Sequence, residues 1–93
     1  MRPSEIEALA RLAGGMDYYS LLRVESSAPL VEIKRAYYRA RRTFHPDRYL
    51  RDRDEVQSAV DQIARRINEA WVVLRDANRR PAYDQGLTRG QLR

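Results

Sequence analysis

The chain has 93 residues and a formal net charge of +5, and its basic side chains are all arginines except Lys34. This length fits one small domain, in which a few large apolar residues must supply much of the stability. The lack of cysteine excludes disulfides and thiolate metal sites, and a single histidine argues against zinc. The positive charge favours an anionic partner (nucleic acid, anionic lipid or an acidic protein face), although a solvated arginine-rich surface would give the same total.

No stretch of the sequence approaches the roughly 20 apolar residues that a membrane span requires. Residues 1–7 include Glu5 and Glu7 and lack an apolar core, so we expect no secretory signal peptide. We therefore expect a soluble, cytoplasmic protein without a membrane partner.

Two short helices are predicted at the start of the chain. Ser4 to Ala13 has one apolar face, and Ser4 and Glu7 have the spacing of a capping box. A helix of about ten residues is marginal in water, so it must pack on another element or fray. Asp17 is a suitable N-cap for the second helix, Tyr18 to Leu22.

Two long amphipathic helices follow, from Pro29 to Phe44 and from about Arg53 to Leu74. Pro29 suits a first helical turn, whereas Pro46 ends the first long helix because the residue before proline avoids the α region. Asp52 and Glu55 have capping-box spacing before the second. The predicted apolar stripes comprise Leu30, Ile33, Tyr37, Ala40 and Phe44 on the first helix and Val56, Val60, Ile63, Ile67, Ala70, Trp71 and Leu74 on the second. Such helices, joined by a short loop, pack antiparallel and predict an all-α fold.

A last short helical segment is predicted from Asp76 toward Tyr83. Pro81 lies inside it and removes one backbone donor, so we expect this segment to be short or irregular. From Gly86 onward the sequence has the composition of a tail.

The basic residues of the first long helix share its outer side. At about 100° per residue, with Ile33 as zero, the apolar stripe lies within roughly 60° of that residue. The opposite arc, from roughly 100° to 240°, holds Lys34, Arg35, Tyr38, Arg39 and Arg42. Only Glu32, at the edge, is acidic, so i, i+4 ion pairs do not neutralise this arc as they would a surface built for stability. The arc ends at the tripeptide His45-Pro46-Asp47, and Arg48 extends it.

The tripeptide His45-Pro46-Asp47 has three possible interpretations. A catalytic pair is disfavoured, because no nucleophile is near in sequence and the two side chains cannot easily face each other across a proline. A plain helix stop with an aspartate turn is possible for any such tripeptide. The third interpretation is a rigid loop that presents Asp47 as an isolated carboxylate beside a basic surface, available to an arginine on a partner.

The sequence resembles the J domains of DnaJ-like co-chaperones from Asp17 to about Leu87. The matching segments, in order and at compatible spacings, are 17–22 (DYYSLL), 32–37 (EIKRAY), 44–48 (FHPDR), 67–76 (INEAWVVLRD) and 79–85 (RRPAYDQ). The resemblance implies a J-domain-like antiparallel pair of long helices with short flanking helices. It also implies a domain at 17–87, with 1–16 as an N-terminal extension or linker that a short helix can occupy and 88–93 as a tail.

The resemblance further implies a module that performs no chemistry, needs no cofactor or small-molecule ligand and docks on a DnaK-type chaperone ATPase, whose ATP hydrolysis it stimulates. We expect it to act as a monomer. The partner-binding residues carried over by position are Lys34, Tyr38, Arg39, Arg42, His45, Pro46, Asp47 and Arg48. Arg35 is added as a member of the basic arc, and Tyr37 as a residue whose ring lies on the core stripe. Two other functions stay open: a J-like interaction scaffold with weak or no ATPase stimulation, and a basic helical domain that binds nucleic acid, which Asp47 disfavours by repelling phosphate.

Two departures from the family pattern bear on this function. Arg23 stands where glycine is usual after the first helix of the family, and a left-handed backbone there would cost roughly 1 kcal/mol. Ala64 stands where a phenylalanine usually packs behind the loop, and the loss of a buried Phe side chain costs about 3–5 kcal/mol. The chain also lacks a glycine-rich spacer and zinc-binding cysteine repeats, so we expect either a minimal co-chaperone or a piece of a longer protein.

Overall fold

The structure is a computed structural model that describes residues 2–88 and residue 90. Its helical elements are α1 (Pro3–Ala13), α2 (Tyr18–Leu22), α3 (Leu30–Thr43), a 3₁₀ turn (Pro46–Tyr49), α4 (Asp54–Leu74) and α5 (Arg79–Thr88). No strand occurs among the described residues, which confirms the predicted all-α class. Within the same residues, no helix combines the length and the apolar composition that crossing a membrane would require.

The long helices α3 and α4 pack antiparallel, as predicted. The Tyr37 hydroxyl in the middle of α3 donates to Asn68 Oδ1 of α4 over 3.0 Å, whereas Phe44 at the end of α3 lies with Ala64, nearer the start of α4. The core between them contains fully buried branched side chains, among them Ile33 of α3. Each such side chain contributes about 1.5–3 kcal/mol when it is removed from water.

The predicted apolar stripes are correct except at their margins. Leu30, in the first turn of α3, is 47% exposed, whereas Ala36, which the stripe left out, is buried. Trp71 is only partly buried and stacks on the Tyr37 ring with 5.0 Å between ring centroids. The stripe prediction therefore fails at Leu30, where the first turn of α3 extends beyond the helix interface. It also fails at Ala36, whose small side chain allows the neighbouring helix to approach closely.

Helix α1 is packed into the same core. Ile6 is fully buried and Ala13 is 3% exposed, with Leu9 and Ala10 packed against them. Arg53, immediately before α4, donates to Glu7 Oε1 over 3.1 Å and links the middle of α1 to the start of α4. An isolated helix of this length would be marginal, so this packing is what stabilises it.

The two predicted capping boxes are absent. Helix α1 begins one residue earlier than predicted, at Pro3, and no side chain caps it. Helix α4 has Arg53 as its N-cap, again without a side-chain cap bond, so Asp52 does not form the predicted box with Glu55. The predicted cap of α2 is confirmed, because Asp17 Oδ1 accepts from the Ser20 backbone N–H at 2.9 Å.

Helix α5 is longer and more regular than predicted. It runs from Arg79 to Thr88, so Pro81 lies in its first turn, where the N–H has no intrahelical acceptor in any case. The prediction placed the start at Asp76, whose side chain instead accepts from the backbone N–H groups of Asn78 and Arg79. The supposed tail from Gly86 is therefore helical as far as Thr88, and residues 89 and 91–93 lie outside the described residues.

Helix α5 is fastened to α2 and to the segment before α3. The Tyr83 ring stacks on Tyr18 with centroids 4.5 Å apart, and its hydroxyl accepts from the Tyr18 backbone N–H. Arg80 donates to the carbonyl of Ala28 over 2.7 Å and to the Tyr19 hydroxyl. Burial, together with the hydrogen bonds to Glu69 and Asp84, raises the pKa of Tyr18 and Tyr19 to about 12, so both stay neutral at ordinary pH.

The division of the chain at residues 16 and 87 remains a proposal. Residues 3–13 lie before the segment that resembles the J domain, yet α1 contributes buried side chains to the core. Whether the domain needs α1 in order to fold is therefore worth testing. Arg23 needs a test of its own, because it ends α2 with φ 60° and ψ 45°. It is the one non-glycine residue with positive φ in the described part of the chain.

We predict that Ile6→Ala lowers the free energy of unfolding by about 2–5 kcal/mol, because the substitution leaves a cavity in the core. Leu12→Ala is the matched control: it lies on the same helix but is 63% exposed, so its effect should stay within about 0.5 kcal/mol. Urea unfolding followed by circular dichroism measures both. Equal, small effects would mean that α1 adds nothing to the stability of the domain.

We predict that Arg23→Gly raises the free energy of unfolding by about 1 kcal/mol, because glycine adopts the left-handed conformation without the steric cost of a Cβ atom. Glu25→Gly, at an exposed position just beyond, controls for the greater chain entropy of glycine and should not stabilise. Thermal unfolding of the two variants and the wild type measures the change in stability. A lower midpoint for Arg23→Gly than for the wild type would contradict the prediction.

Candidate protein-docking site

The outer side of α3 carries an exposed cationic surface, which we call the basic face. It comprises Lys34, Arg35, Tyr38, Arg39 and Arg42. All five are exposed, and the Tyr38 ring in their midst is 43% exposed. In the part of the chain that the structure describes, none of the four cations forms an ion pair. Clustered like charges repel one another, so this arrangement does not serve stability.

Two acids, Glu25 and Glu32, lie at one edge of the basic face. They line a shallow depression together with Arg35 and Arg39, without reaching ion-pair distance of either. Arg23 lines the same depression and adds a further cation there. The face therefore keeps its positive character out to its edge.

The loop that follows α3, which we call the HPD loop, comprises His45, Pro46 and Asp47. His45 has an extended backbone, as expected before a proline, and Pro46 opens the 3₁₀ turn. The Asp47 backbone N–H donates to Nδ1 of His45 over 3.2 Å. Since Nδ1 accepts this bond, a neutral His45 carries its proton on Nε2.

The carboxylate of Asp47 points into solvent. Its side chain is 78% exposed, and its Oδ2 lies 3.7 Å from His45 Nδ1. No arginine pairs with it among the described residues. Asp47 is therefore a carboxylate held on a fixed backbone and free to accept hydrogen bonds from another molecule.

Two side chains of the 3₁₀ turn fasten the loop to the end of α3. Tyr49 is buried, and its hydroxyl donates to the Thr43 carbonyl over 2.8 Å. Arg48 Nη1 donates to the Arg42 carbonyl over 3.1 Å. The last carbonyls of a helix have no intrahelical partner, so these bonds cap α3 and fix the loop at the same time.

The structure brings the predicted site residues together with one exception. Nine of them lie along the outer side of α3 and the turn after it, and all nine are exposed: Lys34, Arg35, Tyr38, Arg39, Arg42, His45, Pro46, Asp47 and Arg48. Tyr37 is 7% exposed and its hydroxyl is bound to Asn68. It holds α3 on α4 and does not present a group on the basic face.

Sequence reasoning missed Arg41. At about 80° from Ile33 it falls between the apolar stripe and the basic arc, so the helical wheel gave it to neither. The structure shows Arg41 exposed at the edge of α3 that faces α4, where it lines a groove together with His45. The proximity of Arg41 to the tripeptide in sequence was the signal that could have identified it.

A groove of about 210 Å³ lies between the HPD loop and α4. Ala64, where the family resemblance leads one to expect phenylalanine, lies along its wall. Ile63, the preceding residue, does not line the groove and is fully buried in the core. Among the described residues no cluster of three or more His, Asp or Glu side chains is arranged to hold a metal ion.

We predict that Tyr49→Phe lowers the free energy of unfolding by about 1 kcal/mol, because it removes the hydrogen bond to the Thr43 carbonyl. It should also increase the amide hydrogen exchange of residues 44–49 more than that of the α4 core. Tyr38→Phe, whose hydroxyl is exposed on the basic face, is the control and should change neither quantity. An unchanged exchange pattern in Tyr49→Phe would mean that this bond does not fix the loop.

Residues 17–84 match the protein-family model described as "DnaJ domain". The matched range covers α2, α3, the HPD loop, α4 and most of α5. Helix α1 lies outside it.

Curated proteins named "Chaperone protein DnaJ" are similar to this chain. The protein from Mycoplasma genitalium is 36% identical over 73 residues, which cover 78% of this chain and 19% of the relative. That from Wolinella succinogenes is 41% identical over 69 residues, 74% of this chain and 17% of the relative. That from Paramagnetospirillum magneticum is 44% identical over 69 residues. The chain thus spans about a fifth of the length of these relatives, and no solved structure matches it.

Proposed function

This chain belongs to the DnaJ domain family, and on that premise we propose that it is a co-chaperone module that docks on a DnaK-type chaperone and stimulates its ATP hydrolysis. The observation that carries the proposal is the position of Asp47. Its exposed carboxylate lies at the end of an unneutralised basic face and on a backbone fixed by the Tyr49 and Arg48 hydrogen bonds.

The two parts of the site have complementary roles in this proposal. The basic face attracts an acidic surface of the chaperone, which speeds encounter and sets the orientation of the two proteins. Asp47 then accepts hydrogen bonds from a cation of the chaperone, a charge-assisted contact that depends strongly on geometry. Tyr38, exposed among the cations, supplies an aromatic ring of the kind that anchors interfaces.

The module itself supplies no reacting group in this mechanism. Its effect on ATP hydrolysis comes from binding one conformation of the chaperone more tightly than another, since a ligand shifts an equilibrium only by its differential affinity. A fixed HPD loop serves that purpose, because a preorganised loop loses little entropy on docking.

The alternative is a J-like scaffold that binds a partner without stimulating hydrolysis. The groove beside Ala64 favours it in one respect, because a loop with open space behind it has less support than a fully packed one. The scaffold predicts binding that does not depend on Asp47, whereas the co-chaperone predicts that both binding and stimulation do.

We predict that the wild-type chain raises the steady-state ATP turnover of a DnaK-type chaperone and that Asp47→Asn reduces this stimulation at least about tenfold. The substitution removes a charge from a hydrogen bond to a cation, which is worth about 1.5–3 kcal/mol. Phosphate release, measured with and without the chain, gives the result. Asp61→Asn, an exposed aspartate on α4, is the matched control and should stimulate like the wild type.

Two outcomes would count against the proposal. A wild-type chain that leaves ATP turnover unchanged would exclude stimulation, and equal stimulation by Asp47→Asn would exclude Asp47 as the critical contact. Binding of the chaperone that survives Asp47→Asn without any stimulation would support the scaffold.

A further inference from the structure

The groove between the HPD loop and α4 has an apolar interior. Phe44, Pro46, Ala64 and Ile67 line it. Its volume of about 210 Å³ lies below the roughly 300–1,000 Å³ of pockets that hold small-molecule ligands. The size and the apolar lining fit one side chain inserted from another protein, which is how interface anchors are seated.

Two walls of the groove are held in place by contacts elsewhere in the structure. Ala64 contributes only a methyl group, and Ile67, at 1% exposed, is already packed in the core. The loop on the other side is held to the end of α3 by the bonds from Tyr49 and Arg48. Space that the surrounding structure cannot collapse into stays open to an occupant.

The rim of the groove is polar and basic. Arg41, His45 and Asn68 form it, and no acidic residue lines it. Arg41 is exposed and forms no ion pair with the described residues. A partner segment that places a carboxylate next to the inserted apolar side chain would therefore complement the charge of the rim.

The groove is also continuous with the candidate docking site. His45 and Pro46 belong both to the HPD loop and to the lining of the groove. A partner that contacts Asp47 from solvent therefore lies within reach of the groove. This continuity identifies the partner as the same molecule that docks on the loop.

We propose that this groove receives an aliphatic or aromatic side chain of the DnaK-type chaperone, adjacent to a carboxylate of the chaperone that pairs with Arg41. The inference rests on the proposed function and deepens it. Ala64 acts as a specificity-determining residue, because its small size keeps the groove open. Arg41 is an additional contact residue beyond the basic face.

Ala64→Phe tests the proposal by filling the groove from within. The expected result is chaperone binding weakened at least about tenfold, because the partner side chain is displaced, with a thermal midpoint equal to or above that of the wild type. Ala64→Ser keeps the groove open and should bind like the wild type. Fluorescence titration of the labelled chain with the full chaperone measures affinity, and thermal unfolding measures stability.

Arg41→Ala is the second variant and keeps the proposal falsifiable if Ala64→Phe does not fold. The expected result is binding weakened at least about threefold, more at low salt than at high salt, because an ion pair at a rim is screened. Arg11→Ala, an exposed arginine on α1, is its matched control and should bind like the wild type at both salt concentrations.

The outcomes separate this inference from the proposed function. If Asp47→Asn abolishes binding while folded Ala64→Phe and Arg41→Ala bind like the wild type, the docking function stands and the groove proposal is overturned. Tighter binding by Ala64→Phe overturns it as well, since the open space would then be a packing defect. If the wild type does not bind the chaperone, both fail. A dimer in light scattering that Ala64→Phe dissociates would assign the groove to a second copy and overturn the proposal.

Discussion

The attachment of the 3₁₀ turn to the end of α3 is the constraint on which the site depends. The Tyr49 hydroxyl and the Arg48 guanidinium bind the carbonyls of Thr43 and Arg42, which would otherwise lack partners. One pair of hydrogen bonds therefore caps the helix and orients the loop. They couple the loop that carries the Asp47 carboxylate to the helix that carries the basic face. With them, the spacing between the cations and the carboxylate is fixed before any partner arrives.

The other helices maintain this arrangement from behind. Tyr37 fixes α3 on α4 through its stacking on Trp71 and its bond to Asn68. Helix α5 secures the segment before α3 through Arg80 and secures α2 through the stacked rings of Tyr83 and Tyr18. Helix α1 adds the fully buried Ile6 to the same core. In a domain this small, few large side chains are available, so each flanking helix contributes a substantial share of the buried apolar area.

Much of this organisation could be predicted from the sequence, because it depends on periodicity and on residues with strong local preferences. The spacing of Ile33, Tyr37 and Phe44 predicted the buried side of α3, and the basic face lies on the opposite side of the helix. Pro46 predicted the end of α3, and Asp17 predicted the N-cap of α2. The family resemblance pointed to Arg23 as a position where a left-handed backbone would be costly, and the structure shows that Arg23 adopts it.

The sequence-based predictions were wrong where tertiary contacts determine the structure. The caps expected at Ser4 and Asp52 match a spacing rule, but α1 and α4 begin after Arg2 and Arg53, and neither helix has a side-chain cap. Pro81 suggested an irregular segment because the start of α5 was placed too early. Arg41 was missed because its position at the edge between α3 and α4 depends on how the two helices pack, which a single helical wheel does not contain.

The most direct test of the account is a map of the surface that the chaperone covers. Titration of the ¹⁵N-labelled chain with an unlabelled DnaK-type chaperone, followed by amide chemical shifts, gives that map residue by residue. The account predicts that the largest perturbations lie on the outer side of α3, in the HPD loop and around Ala64 and Asn68, and that the exposed side of α1 is unaffected. Perturbations centred on α1 or α5, with the loop unchanged, would contradict it.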